Sequence, residues 1–365
     1  MLRYPHTLII CFLSSIAFQN NAQVLQSTDF IKGGISDAEK VMKAYLSPLE
    51  NGIGVTASQS NTILFKGENT SKWKFGLSLS IEGTIVNAKD KSYDFNDLNL
   101  EEFHTSDPSK TTGQTISGND QTISLESNNT YKSPSVQFPF YTEKPILRLN
   151  SPKGIDLGVI PFARLHFVAE KEGNLIELKF LPSIKFSQNT VGVFAIGASI
   201  QHNLETSFSA LKDFPVDFYI KTGYDYSRMR YFLDIKPDEN ELSFSNPIDE
   251  VEYEDQVFQM SSTSVPIQIS VVKPIRKFSF AFSTGYNIVL SSVELKGNYP
   301  VYSSDPTNSF NVTVDNFRDP IHYKRNFDHF FIGVATTYRS DHFNLSLKYN
   351  HSKYKNLGVS FMLFL

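Results

Sequence analysis

Cysteine, tryptophan and long apolar runs are almost missing from this 365-residue chain. The one cysteine, Cys11, lies in the N-terminal leader, so the processed chain has neither disulfides nor thiolate metal sites. Cys11 also follows Ile10, whereas lipid attachment wants a small residue before a cysteine at the cleavage point, which speaks against a lipoprotein. The apolar run Leu8 to Phe18 is about 11 residues, well short of the roughly 20 of a spanning helix, and no later run is longer. A formal net charge of -4 is too small to point to nucleic acid or to an anionic membrane surface. No internal repeat of fixed period is present.

What the chain does have is 31 Phe and 17 Tyr against one Trp and five Met, with a slightly negative mean hydropathy. A strand that offers only every second residue to lipid produces this combination. Arg3 and His6 precede the Leu8 to Phe18 run, and Gln19-Asn20-Asn21-Ala22-Gln23 follows it. This reads as a secretory signal peptide cleaved near Ala22.

The last residues, Lys355 to Leu365, place Leu357, Val359, Phe361, Leu363 and Leu365 on one parity and Asn356, Gly358 and Ser360 on the other. Met362 and Phe364 break the small polar character of the second row. In a soluble protein this would be an exposed apolar edge. In a transmembrane barrel the last strand closes against the first, with one face to lipid and the other to the lumen.

Alternation recurs along the chain. Trp73, Phe75, Leu77, Leu79, Ile81 and Ile85 form one row, and Leu157, Val159, Ala163, Leu165 and Phe167 another. Comparable rows begin at Ile176, Phe194, Val216, Phe278, Phe330 and Phe343. Short connections at 171–173, 209–213, 273–276 and 339–341 would share the periplasmic side, with the long segments 87–119, 236–256 and 298–326 outside. The expected fold is therefore all-β, a transmembrane antiparallel up-and-down β-barrel. Its strands number about 12, counting the weaker segments Gln121 to Tyr131 and Phe138 to Leu149, or about 14 if Gly52 to Phe65 crosses with a partner. A secreted β-sandwich would also alternate. The barrel is preferred because Lys74, Glu82, Arg164, His166, Glu177, Lys179, Asp217, Lys221 and Asp225 share the polar parity, which suits a wet lumen.

Before the strands, Ser36 and Glu39 form a Ser-x-x-Glu capping box, Ile35, Ala38, Val41, Met42, Tyr45 and Leu46 share one helical face, and Pro48 follows. This predicts a short amphipathic helix that must dock as a lumenal plug or on the periplasmic rim. The organisation expected is a signal peptide (1–22), a helical segment (23–50) and a barrel (51–365).

The stretch Phe30 to Lys40, the run Ala44-Tyr45-Leu46-Ser47-Pro48 and Asn51-Gly52-Ile53-Gly54 resemble an uncharacterised family of bacterial outer-membrane β-barrel proteins with a "DAEK...AYL.P" helix after the signal peptide. The resemblance covers about 60 N-terminal residues closely and the rest in general terms, and it implies the outer membrane of a gram-negative bacterium. It implies no activity. Asn356-x-Gly358-x-x-Phe361-x-Leu363 resembles the terminal assembly signal of such barrels, which implies recognition by the barrel-assembly machinery, although two residues follow it here.

Chemistry is sparsely signalled. His342 and Ser346 share a strand parity but would stand roughly 14 Å apart, and His104 near Ser106 sits in a polar loop. The acidic segment 236–256 has oxygen donors but no calcium-loop spacing, and no zinc spacing or cofactor motif occurs. An enzyme is not expected. The expected function is a passive or selective channel for small solutes. The alternatives are a transporter of hydrophobic compounds, resembling long-chain fatty-acid transporters but without their Asn-Pro-Ala start, and a non-transporting barrel with binding loops.

Overall fold

The computed structural model describes residues 28–59, 73–134, 140–185, 191–237, 242, 244–246 and 253–364. The segment expected to be a signal peptide (1–22) and most of the acidic segment 238–252 lie outside these residues.

Ten antiparallel strands close into a barrel. They are β1 (Lys74–Ile85), β2 (Val159–Lys171), β3 (Asn174–Lys185), β4 (Val191–Asn203) and β5 (Asp217–Phe232). Then follow β6 (Val257–Ile275), β7 (Phe278–Lys296), β8 (His329–Arg339), β9 (Phe343–His351) and β10 (Lys355–Phe364). Closure is made by β1 on β10, in register from Gly76 opposite Phe364 to Ile85 opposite Lys355. The terminal strand thus has a partner on both edges, since β9 flanks its other side.

One outside strand, Ile321–Asn326, continues the line of β8 and pairs with the upper part of β7. The interruption is local: the Phe327 amide donates to the Val289 carbonyl at 2.9 Å, and the Asp328 carboxylate accepts the Val289 amide at 3.0 Å.

The connections at 172–173, 204–216, 276–277 and 340–342 lie at one end of the barrel, with Lys74 and Phe364. The tightest is Glu172-Gly173, where φ values of 54° and 80° make the left-handed two-residue turn that matches the twist of its strands. At the opposite, loop end, the described residues of 86–158, 233–256 and 297–320 form a head of small sheets.

The expectation of 12 to 14 strands is corrected here. Gln121 to Tyr131 and the described part of Phe138 to Leu149, from Phe140 on, fold into the head as Ser124–Ser127, Thr130–Pro134, Tyr141–Pro145 and Arg148–Asn150. Each is at most 5 residues, half of a tilted crossing, and they pair with one another and with Phe103–Thr105. Phe138 itself falls outside the described residues.

Helix α1 (Ile35–Gln59) is 25 residues long, not a short helix stopped by Pro48. Gly52 to Gln59 is therefore helical rather than strand, and Ser60 to Phe65 lies outside the described residues. The capping box does not form: Ser36 is already inside the helix, and the Ala38 amide bonds the Gly34 carbonyl at 3.1 Å. A proline inside a helix costs about 3 kcal/mol, so packing must hold the second half in place. The next carbonyl, of Tyr45, is met from outside by the Ile116 amide at 3.0 Å.

The helix runs inside the barrel, touching β1, β2, β5, β6, β7 and β10. Val41, Met42, Tyr45, Leu46, Leu49 and Val55 are buried against Ile160, Phe258, Met260, Val289, Val293 and Tyr323. Each such side chain contributes on the order of 1.5–3 kcal/mol. Gly52 and Gly54 allow the approach, because a methyl group there would overlap Ile160 or Val289.

Candidate functional site: the plugged lumen

Alternation turns one side chain in two toward the lumen, and these residues stack in three layers. The loop half is apolar and wraps α1. The turn end holds two small apolar clusters among buried polar side chains such as Glu170, Gln201 and Asn344: Met362 and Phe364 pack with Val168 and Leu175, and Tyr219 packs with Val272 and Ala281. This is why the terminal strand breaks its polar parity in its last residues.

Between the two lies a charged layer built on three carboxylates. Asp225 accepts Arg164 Nη1 at 2.6 Å on one oxygen and Lys179 Nζ at 3.1 Å on the other. Glu177 takes His166 Nδ1 at 2.7 Å, Lys221 Nζ at 2.9 Å and the Ser199 hydroxyl at 2.6 Å. Glu82 lies 2.5 Å from Lys348 Nζ. Burying unpaired ions costs several kcal/mol each, and the pairing offsets that cost.

The plug joins this layer through its C-terminal end. Lys348 donates to the Gln59 carbonyl, and Arg164 reaches the Ala57 carbonyl at 3.5 Å. Two cations thus face the negative end of the helix dipole. Higher up, Thr56 bonds Thr84 at 2.6 Å, and the Tyr323 hydroxyl donates to Glu50 at 2.7 Å.

Seven of the nine expected lumenal residues, Glu82, Arg164, His166, Glu177, Lys179, Lys221 and Asp225, meet in the layer, all buried. Lys74 and Asp217 do not; each begins its strand at the turn-end rim and is half-buried. Lys348 was missed, although it shares the parity of His342, Asn344 and Ser346 and was legible in that way. Of the expected helical face, Val41, Met42, Tyr45 and Leu46 are buried, whereas Glu39 is only half-buried and Ser36 is exposed. On β10, Asn356 and Gly358 face inward and Phe361 and Leu363 outward.

Ser80, His166 and Glu177 have the connectivity of a hydrolytic triad, with the Ser80 hydroxyl 2.6 Å from His166 Nε2. All three are buried within the filled lumen, so no substrate reaches Ser80 in this state. In the two pairs weighed from the sequence the groups bond elsewhere, Ser346 to Thr337 at 2.8 Å and His104 to Asn128 at 2.7 Å. The half-buried His202 bonds Ser207 at 2.7 Å and Asn174 at 2.7 Å, with no carboxylate in that contact. Among the described residues no acidic or His cluster could hold a metal ion.

The N-terminal end of α1 is fixed to the head. Asp37, fully buried, accepts the amides of Glu101, Glu102 and Phe103 at 3.0, 2.7 and 3.1 Å. Asp37→Ala would leave three amides without their acceptor, each such bond to a charge being worth about 1.5–3 kcal/mol. Limited proteolysis should then cut the head between 95 and 130 at least tenfold faster, and an unchanged rate would mean that the contact does not hold the head.

The fold and its filled lumen define a class: a closed, ten-stranded barrel with a helix as its core. The chain belongs to the family of unknown function DUF6588, which matches residues 1–363. No curated protein matches it. Among solved structures it is similar to the outer-membrane protease OmpT of Escherichia coli, with 10% identity over 80% of this chain and 93% of that one, at a TM-score of 0.26. It is also similar to the translocator domain of the autotransporter NalP of Neisseria meningitidis, with 10% identity, 80% and 87% coverage and a TM-score of 0.24. For the Pseudomonas putida toluene transporter TodX the figures are 7% identity, 85% and 93% coverage and a TM-score of 0.14. Likenesses this distant carry no activity or substrate over to this chain.

Proposed function

We propose that the protein is an outer-membrane barrel of a gram-negative bacterium, exported by a cleaved signal peptide, whose lumen is shut at rest and whose work is binding at its loop head. Membrane insertion is supported by the outer surface. All ten strands turn large apolar side chains outward, from Phe75 and Leu77 on β1 to Phe361 and Leu363 on β10. A soluble monomer rarely exposes a continuous apolar patch beyond a few hundred Å². Asn356, Gly358, Phe361 and Leu363 on the terminal strand would serve recognition by the assembly machinery.

The observation that carries the closed reading is the content of the lumen. Eight strands leave room for side chains only, and wide channels need 16 or more; here ten strands are filled by one helix and a layer of ion pairs. A passive channel is therefore less well supported than the binding reading. The polar wall favours one second reading, a gated pathway for small hydrophilic solutes that opens when α1 withdraws. The charged layer speaks against a path for hydrophobic compounds. No hydrolysis is assigned to the protein.

Two measurements test this. The purified mature protein in planar bilayers should show no steady conductance, and open-channel steps would overturn the closed reading. In intact cells a cysteine introduced at exposed Ser109 should react with a membrane-impermeant maleimide, and one at exposed Asp213 only after permeabilisation. The reverse pattern would place the head in the periplasm.

A further inference from the structure

Beside α1, at the loop end, a cleft of about 560 Å³ opens between the helix, the segment that follows β1 and the strand Ile321–Asn326. Its lining carries five cations, Lys40, Lys43, Lys89, Lys324 and Arg325, against the carboxylates of Asp90 and Asp97. The helix lysines are already engaged: Lys40 with Asp37 at 3.4 Å and Glu101 at 3.2 Å, Lys43 with Glu39. The other three make no ion pair with a described residue. Lys89, Lys324 and Arg325 thus line the mouth without a carboxylate of the described residues at ion-pair distance, although Asp90 and Asp97 share the lining and the buried Glu50 acts on Arg325 from nearby.

Lys353, in the turn between β9 and β10, has its pKa held below the ordinary lysine value chiefly by burial, with Asp90 pulling it up and the nearby Arg325 and Lys89 pushing it down. The floor is less polar, with Ala44 and Pro48 of α1 beside the rings of Tyr93 and Tyr323. The volume suits a compact small molecule.

We propose that this cleft binds a phosphate-bearing ligand of sugar-phosphate size, held between Lys89 on one wall and Lys324 and Arg325 on the other. Phosphate is favoured because it presents several acceptor oxygens to donors that converge from different elements, and because the guanidinium of Arg325 can take two of them at once. The inference rests on the reading of the loop head as a binding surface and names the ligand class of that surface. Two sources share this chemistry, a soluble phosphate ester and the phosphorylated headgroup of an outer-leaflet glycolipid. A bound ligand would touch both the plug and the wall.

The test is calorimetric titration of the mature protein in detergent with inorganic pyrophosphate, and in parallel with micelles carrying a diphosphorylated glucosamine lipid. Saturable binding is expected, weakening with added salt. The double variant Lys89→Gln with Lys324→Gln changes two exposed side chains and should weaken binding at least tenfold while the heat-modifiable gel shift of the folded barrel stays. Binding of pyrophosphate alone would indicate a soluble ester. Binding of the lipid, displaced by pyrophosphate, would indicate the headgroup. No saturable binding of either probe, or equal affinity in the double variant, would overturn the proposal. A barrel that conducts yet binds pyrophosphate would sink only the closed-lumen reading; a silent barrel that binds neither probe would sink only this one.

Discussion

Asp225→Ala is expected to lower the stability of the folded barrel by about 3–5 kcal/mol, the cost of stranding buried cations. One carboxylate here serves two of them, Arg164 at 2.6 Å and Lys179 at 3.1 Å, and all three side chains are out of water. Alanine removes the shared partner of both and leaves a gap that the strand backbone cannot close. The midpoint of urea unfolding in lipid vesicles, read by the gel shift of the folded form, should fall accordingly. A triple variant, Asp225→Leu with Arg164→Met and Lys179→Met, should recover the wild-type midpoint or exceed it, because uncharged packing of similar volume has no ions to desolvate. That pair of results would separate the cost of unpaired charge from the loss of volume. An unchanged midpoint in Asp225→Ala would mean that water reaches the layer and that the lumen is not sealed.

The second large effect concerns the plug. Removing residues 28–59 is expected to convert a silent barrel into one that gives conductance steps. The loop half of the lumen would lose its core, and Arg164 and Lys348 would lose the helix carbonyls that they face. Both are long side chains that can then turn toward entering water, loosening the charged layer from above. The same variant should unfold at lower urea, since apolar wall residues such as Ile160, Phe258 and Val289 lose their cover. A folded variant that stays silent would assign the seal to the side-chain layers alone, and the gated reading would fail with it.

Much of the wall was readable from the chain. Period-two rows identify the outward residues because lipid and lumen impose opposite polarity on alternate positions. Glu177 and Asp225 could be assigned to the lumen by parity without any knowledge of their partners. Their meeting with cations from neighbouring strands could not. It depends on register, such as Glu177 opposite Val168 and Asp225 opposite Gly197, and register is a property of paired strands. The strand count failed for a related reason. Short alternating segments such as Ser124–Ser127 carry the same local signal whether they cross a membrane or pair inside a loop.

Helix α1 shows the division most clearly. Its first turns were legible from helical spacing, but Pro48 argued for an early stop. A helix in water does end at such a residue, whereas one enclosed by a wall and a loop head continues to Gln59, because packing outweighs the lost hydrogen bond. Spacing alone left plug and rim open. Sequence by itself therefore determined the alternating wall, the mismatch with a soluble surface and which residues face inward, all of which depend on local polarity. Tertiary structure decided the ten-strand closure, the place of the helix, the ion pairs and the basic cleft, because each of these joins residues that only pairing and packing bring together.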